Sequence, residues 1–91
     1  MALIIHFSPS NMNSDTYAEA LRRLDAAGQK APPGRLHHTC YGPKDKLSVT
    51  DVFDTEQNFE AFGKVLVPIL TGLGVELGQP NVIGVHNIIR G

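Results

Sequence analysis

The sequence predicts one α+β domain whose elements run in the order β-α-β-β-α-β. Three observations carry this. A chain of 91 residues holds one domain and no second. Two stretches place apolar residues three and four apart, the helical spacing. Four short runs rich in β-branched or aromatic residues are closed by Ser, Pro, Asn and Gly, as strands are.

Leu3 to Phe7 is the first strand, ended by Ser8-Pro9-Ser10-Asn11. Ser14 offers a capping oxygen and Asp15 sits in the first turn, where a helix dipole favours negative charge. Tyr17, Leu21 and Leu24 then recur at helical spacing until Gly28 supplies a left-handed stop. Arg35 to Tyr41 and Leu47 to Phe53 form a strand pair around Gly42-Pro43-Lys44-Asp45-Lys46. Thr55 caps a second helix, along which Phe59, Phe62, Leu66, Ile69, Leu70 and Leu73 make the strongest apolar stripe. Pro68 lies inside that stripe and removes one helical hydrogen bond. Gly78-Gln79-Pro80-Asn81 is a turn, and Val82 to Ile89 is the last strand.

This is the ferredoxin-like order. Right-handed crossovers put both helices on one face of a four-stranded antiparallel sheet, with the first and third strands in its centre. On the first strand Leu3, Ile5 and Phe7 face one side while Ile4 and His6 face the other; Ile83, Val85 and Ile89 oppose Val82 and Ile88 on the last. Both sides are apolar, yet helices cover only one. The other face needs a cover, and a second copy of the chain is the simplest.

Composition narrows the partners. Hydrophobic residues are 42% and charged residues 19%, an ordinary globular balance. The net charge is −1 with no basic cluster, so neither nucleic acid nor a membrane surface is expected as a partner. The lone Cys40 excludes an internal disulfide and fits a reducing compartment. The N-terminal apolar run is broken at His6 and ended by Ser8-Pro9, too short for a signal peptide, so a cytoplasmic location is expected.

The hairpin holds the most informative residues. If Gly42 pairs with Leu47, then Cys40 opposes Val49, His38 opposes Asp51 and Leu36 opposes Phe53. One face then reads Leu36, His38, Cys40, Val49, Asp51 and Phe53; the other reads Arg35, His37, Thr39, Tyr41, Ser48, Thr50 and Val52. This register brings an imidazole and a carboxylate together among apolar groups under the helices, where the pair can serve as general base or acid. The same pair, fully satisfied, can instead do nothing but fix the register.

The remaining candidates carry less. His6 is a lone imidazole suited to packing at the outer face, and His86 can line a pocket mouth or bond a nearby carbonyl. His37 and His38 point to opposite faces, so they cannot chelate one ion; no metal is expected from His38, His86, Asp51 and Cys40. Cys40 has no cation or helix start beside it to activate its thiol. The glycines near Gly72 follow a helix rather than open one, the wrong polarity for a phosphate loop.

The run Val49-Thr50-Asp51-Val52-Phe53-Asp54-Thr55-Glu56-Gln57-Asn58-Phe59-Glu60-Ala61-Phe62 resembles the strand, aromatic, acid, Ser/Thr and aromatic-spaced helix of dimeric α/β-barrel proteins. These include the antibiotic-biosynthesis-monooxygenase-like families. Pro32-Pro33-Gly34 before a His-bearing strand, Pro68 in the second helix and Val85-His86-Asn87 near the end look like a bacterial branch of that superfamily. The resemblance implies a homodimer joined by its sheet faces and a small pocket between sheet and helices in each subunit. Some relatives oxidise aromatic polyketides without a cofactor, some isomerise small lactones and some degrade haem. The haem-degrading ones use a tryptophan on the second helix and a histidine near its end; Phe62 and, approximately, Gly72 stand there, and the chain has no Trp. Where the signature usually ends its strand in Trp, this chain has Phe53.

The expected function is binding of a small, partly aromatic organic molecule, as a monooxygenase or isomerase working without a cofactor. His38 would be the acid/base and Asp51 its orienting partner. Tyr17, Phe53 and Phe62 would form apolar walls, with His86 as a second polar contact. The alternative is a dimeric binding or accessory protein in which the pair is structural; haem held by His38 and His86 is the remaining reading.

Overall fold

The computed structural model describes residues 1–91. It contains β1 (Leu3–Phe7), α1 (Ser14–Ala26), β2 (Arg35–Tyr41), β3 (Ser48–Phe53), α2 (Glu56–Gly72) and β4 (Asn81–Gly84). The strands form one antiparallel sheet in the order β2-β3-β1-β4, which with its two helices is the ferredoxin-like α+β fold. β1 and β3 occupy the centre, as the crossovers require.

Two boundaries differ from the sequence reading. α1 is capped by Asn13, whose Oδ1 accepts from the Thr16 amide at 2.8 Å. The Ser14 amide instead donates to the Lys44 carbonyl at 2.8 Å and ties the helix start to the hairpin loop. β4 is also shorter than Val82 to Ile89 and ends at Gly84. Its partner β1 begins at Leu3, opposite Gly84, so the ladder runs out of partner; one further bond joins the Val85 amide to the Ala2 carbonyl at 2.9 Å. The last residues leave the sheet edge. Val85, Asn87, Ile88, Ile89, Arg90 and Gly91 instead share a groove with Ile4, Leu36, His37 and Val52 on the outer face.

Thr55 caps α2 as expected, its hydroxyl accepting from the Asn58 amide at 3.1 Å. α2 continues through Pro68 to Gly72. Between sheet and helices the buried apolar residues form two clusters. Met12, Ala20, Leu47, Val49, Leu70 and Val75 make one; Ile5, Leu24, Phe53 and Phe62 make the other.

The β2–β3 register agrees with the reading near the turn and departs from it further away. Cys40 faces Val49 and His38 faces Asp51, but Arg35, not Leu36, faces Phe53. Leu36 is an extra residue on β2, a β-bulge that reverses the strand's alternation. Leu36 joins His37 on the outer face, while Arg35 turns to the helix side with His38. The bulge follows Gly34, whose φ of +81° is left-handed. The Gly34 carbonyl accepts from the Asp54 amide at 2.9 Å, and Asn58 Nδ2 donates to Asp54 Oδ1 at 2.8 Å directly above it. A Cβ at this position would lie 2.3 Å from Asp54 Oδ1 and 2.7 Å from Asn58 Cβ, so only glycine fits.

Candidate functional site

A cleft of about 210 Å³ lies between the sheet and the two helices, lined by side chains from both core clusters. Its walls are almost wholly apolar: Ile5, Phe7 and Val49 from the sheet, Leu24 from α1, Phe59, Phe62, Leu66 and Leu70 from α2. The exposed Leu21 and Val67 lie at its rim. A cavity of roughly 150 Å³ is enough to take benzene, so this one has room for one ring or two fused rings.

The polar groups of the cleft gather at one end. His38 Nδ1 lies 2.5 Å from Asp51 Oδ1, and His38 Nε2 lies 2.6 Å from the Tyr17 hydroxyl. Asp51 is the one buried charged residue, 8% exposed, and its ionised carboxylate can only accept. Nδ1 therefore carries a proton, and in the neutral ring Nε2 is left to accept from Tyr17. The Tyr17 ring lies nearly parallel to the imidazole, 3° apart in plane with the ring centroids 6.0 Å apart. Burial pushes the Tyr17 hydroxyl above its ordinary range; the neighbouring Cys40 and Asp51 push the same way, against the opposing charge of Arg35. Tyr17 thus stays a neutral donor across the ordinary pH range. Burial likewise raises the Cys40 thiol, partly opposed by Tyr17, so Cys40 is no activated nucleophile.

The structure thus brings together His38, Asp51, Tyr17 and Phe62 of the residues picked from sequence. Phe53 does not reach the cleft. It is fully buried behind the wall, its ring 5.8 Å from Phe59 and 5.6 Å from Phe62, and supports the two aromatics that do. His86 is exposed beyond the end of β4 and lines no part of the cleft. His38 has both ring nitrogens engaged within the protein, so the two histidines form no pair for a haem iron.

Two contributors were missed. Met12, in the segment between β1 and α1, is buried against Leu47 and Val49, and its carbonyl accepts from the Leu47 amide at 2.8 Å. Arg35 enters through the bulge. Its guanidinium stands 5.9 Å from the Phe62 ring centroid, and Nη2 donates to the Lys30 carbonyl at 3.2 Å. Nothing in the residue order signals that turn.

No protein-family model matches the chain, and no curated protein sequence matches it. Its fold does match solved structures. SnoaB, a cofactor-independent oxygenase from Streptomyces nogalater, is similar with a TM-score of 0.63 at 12% identity, over 99% of this chain and 96% of that one. A candidate antibiotic biosynthesis monooxygenase from Chloroflexus aurantiacus J-10-fl matches with a TM-score of 0.64 at 14% identity, over the whole of both chains. A dimeric ferredoxin-like protein from an uncultured marine organism matches with a TM-score of 0.59 at 12% identity, over 99% of this chain and 93% of that one. At such identities the likeness establishes the shared fold, the one found among antibiotic-biosynthesis-monooxygenase-like proteins, and leaves the chemistry to be argued from the site.

Proposed function

We propose that the protein is a homodimer that binds a small aromatic molecule in each cleft and moves a proton on it without a cofactor. The observation that carries this is the Tyr17–His38–Asp51 chain, closed by contacts of 2.6 and 2.5 Å and opening on an apolar cleft. A substrate C–H or O–H beside Tyr17 can pass its proton to the Tyr17 oxygen as Tyr17 passes its own to His38 Nε2. The Asp51 carboxylate then stabilises the imidazolium. The substrate is left as an enolate or phenolate. Returning the proton at another carbon makes the reaction an isomerisation; attack of the electron-rich carbon on dioxygen makes it an oxygenation. The second is the class of chemistry that SnoaB, a structural neighbour, performs.

The dimer reading rests on the outer sheet face. Ile83 is 57% exposed and Leu36 43% exposed there, with Tyr41, Ile88 and Ile89 exposed as well. No helix covers this side, and a structural neighbour with the same fold is dimeric.

The proton-transfer reading is tested with 2-tetralone, a bicyclic ketone with an acidic benzylic C–H, by following its exchange for deuterium by NMR. The protein should accelerate exchange, and His38→Ala should remove roughly two orders of magnitude or more of that acceleration, the usual share of a positioned base. Full acceleration in His38→Ala would overturn the assignment. Tight binding with no acceleration by the unaltered protein would favour the accessory-protein reading, in which Asp51 and His38 only hold β2 against β3.

A further inference from the structure

We propose that Arg35 makes the cleft selective for aromatic carboxylates, anchoring the ligand's carboxylate while its ring lies along the apolar walls. This rests on the reading of the cleft as a ligand site and names the class of ligand that fits it.

The cleft holds a charge that no carboxylate of the chain matches. Arg35 is half-buried and lines an almost wholly apolar cleft, yet no carboxylate lies within 4 Å of it. The chain's ion pairs go elsewhere: Glu19 holds Arg22 and Arg23, and Asp51 holds His38. Of the five N–H donors of Arg35, one finds a protein acceptor, the Lys30 carbonyl at 3.2 Å. None of its nitrogens is both buried and unpaired, so the remaining donors meet water and are free to meet an anion that enters the cleft.

The group is also held in place. The bulge at Leu36 turns Arg35 inward, the Gly34–Asp54–Asn58 contacts fix the backbone before it, and the Phe62 ring lies against its guanidinium. A planar fork held this way suits a bidentate carboxylate better than a flexible ammonium would. Its charge acts on the Tyr17 hydroxyl, and Arg35, Tyr17 and His38 all line the one cleft.

The test compares 2-naphthoate with its neutral isostere 2-naphthamide at pH 7.5 by calorimetric titration. Naphthoate should bind the unaltered protein roughly ten- to hundredfold more tightly, the span expected for a charge-assisted hydrogen-bonded pair. In Arg35→Met that preference should vanish while naphthamide affinity stays within about threefold; Arg35→Lys should keep part of it. Equal affinity for the two ligands in the unaltered protein would overturn the proposal without any variant being made. Equal losses for both ligands in Arg35→Met would overturn it too, since Arg35 would then act only through its packing on Phe62. If neither ligand binds the unaltered protein, the cleft is no aromatic site and both readings fall together; if both bind equally, only the anchoring role of Arg35 falls.

Discussion

Arg35 and His38, three residues apart on one strand, face the same side of the sheet. Regular pleating would set them on opposite sides. The extra residue between them, Leu36, places a cation and an acid–base pair in one cleft, and the behaviour of that cleft follows from how firmly each partner is held.

Tyr17 should titrate late. The absorbance change of tyrosinate formation in the unaltered protein, less that in Tyr17→Phe, should give a midpoint above the ordinary 10.0. Between 10.0 and that midpoint the unfolded chain has lost the Tyr17 proton and the folded chain still binds it, so this group makes stability fall as pH rises. Tyr17→Phe should flatten that fall. At neutral pH the same variant should lose about 0.5–1.5 kcal/mol in urea unfolding, the contribution of its bond to His38.

Phe53 is support rather than wall. Phe53→Ala should cost about 3–5 kcal/mol, as large-to-small changes in a filled core do. Phe53→Leu, which keeps most of the volume, should fold and bind 2-naphthoate within a small factor of the unaltered protein. A large loss of binding with little loss of stability would place Phe53 against the ligand instead.

Gly34 and Gly28 make an internal comparison. Both have positive φ, +81° and +76°, but a Cβ at Gly28 meets nothing within 4 Å, whereas one at Gly34 strikes Asp54 and Asn58. Gly28→Ala should cost about 1 kcal/mol from backbone conformation alone. Gly34→Ala should cost clearly more in the same denaturant titration, and should weaken naphthoate more than naphthamide because it disturbs the root of Arg35.

Ile83→Lys and Leu36→Lys test the outer face. Light scattering should give twice the chain mass for the unaltered protein and the single mass for either variant, because a buried unpaired lysine is not tolerated at an apolar contact. Unchanged dimers would locate the subunit contact elsewhere.

Much of the fold is legible in the residue order because it is set locally. The strand limits Leu3–Phe7 and Arg35–Tyr41, the cap at Thr55 and the meeting of His38 with Asp51 follow from turn residues, alternation and a short hairpin loop. The departures are non-local. Leu36 lies far from the turn, where pairing is governed by Gly34 packing under Asn58, a contact between residues 24 apart. Val82 to Ile89 carries a convincing apolar pattern, yet β4 stops at Gly84 because β1 offers no residue beyond. His86 belongs to the stretch beyond Gly84, so it lies outside the cleft where the strand has ended. Asn13 and Ser14 both offer capping oxygens, and the choice falls to the Lys44 carbonyl, which takes the Ser14 amide.

The bulge makes the charge of the cleft a matter of arithmetic rather than of side-chain identity. Removing Leu36 altogether would leave Arg35 and His38 two residues apart, and regular pleating would keep both in the cleft; keeping Leu36 in a strand without the bulge would set Leu36 opposite Phe53 and send Arg35 to the outer side, with no residue replaced. Straightening the bulge is enough to convert a pocket with an anion anchor into a neutral one. Descendants of such a chain can change what they accept by keeping or losing a bulge, a route that a comparison of aligned side chains would miss.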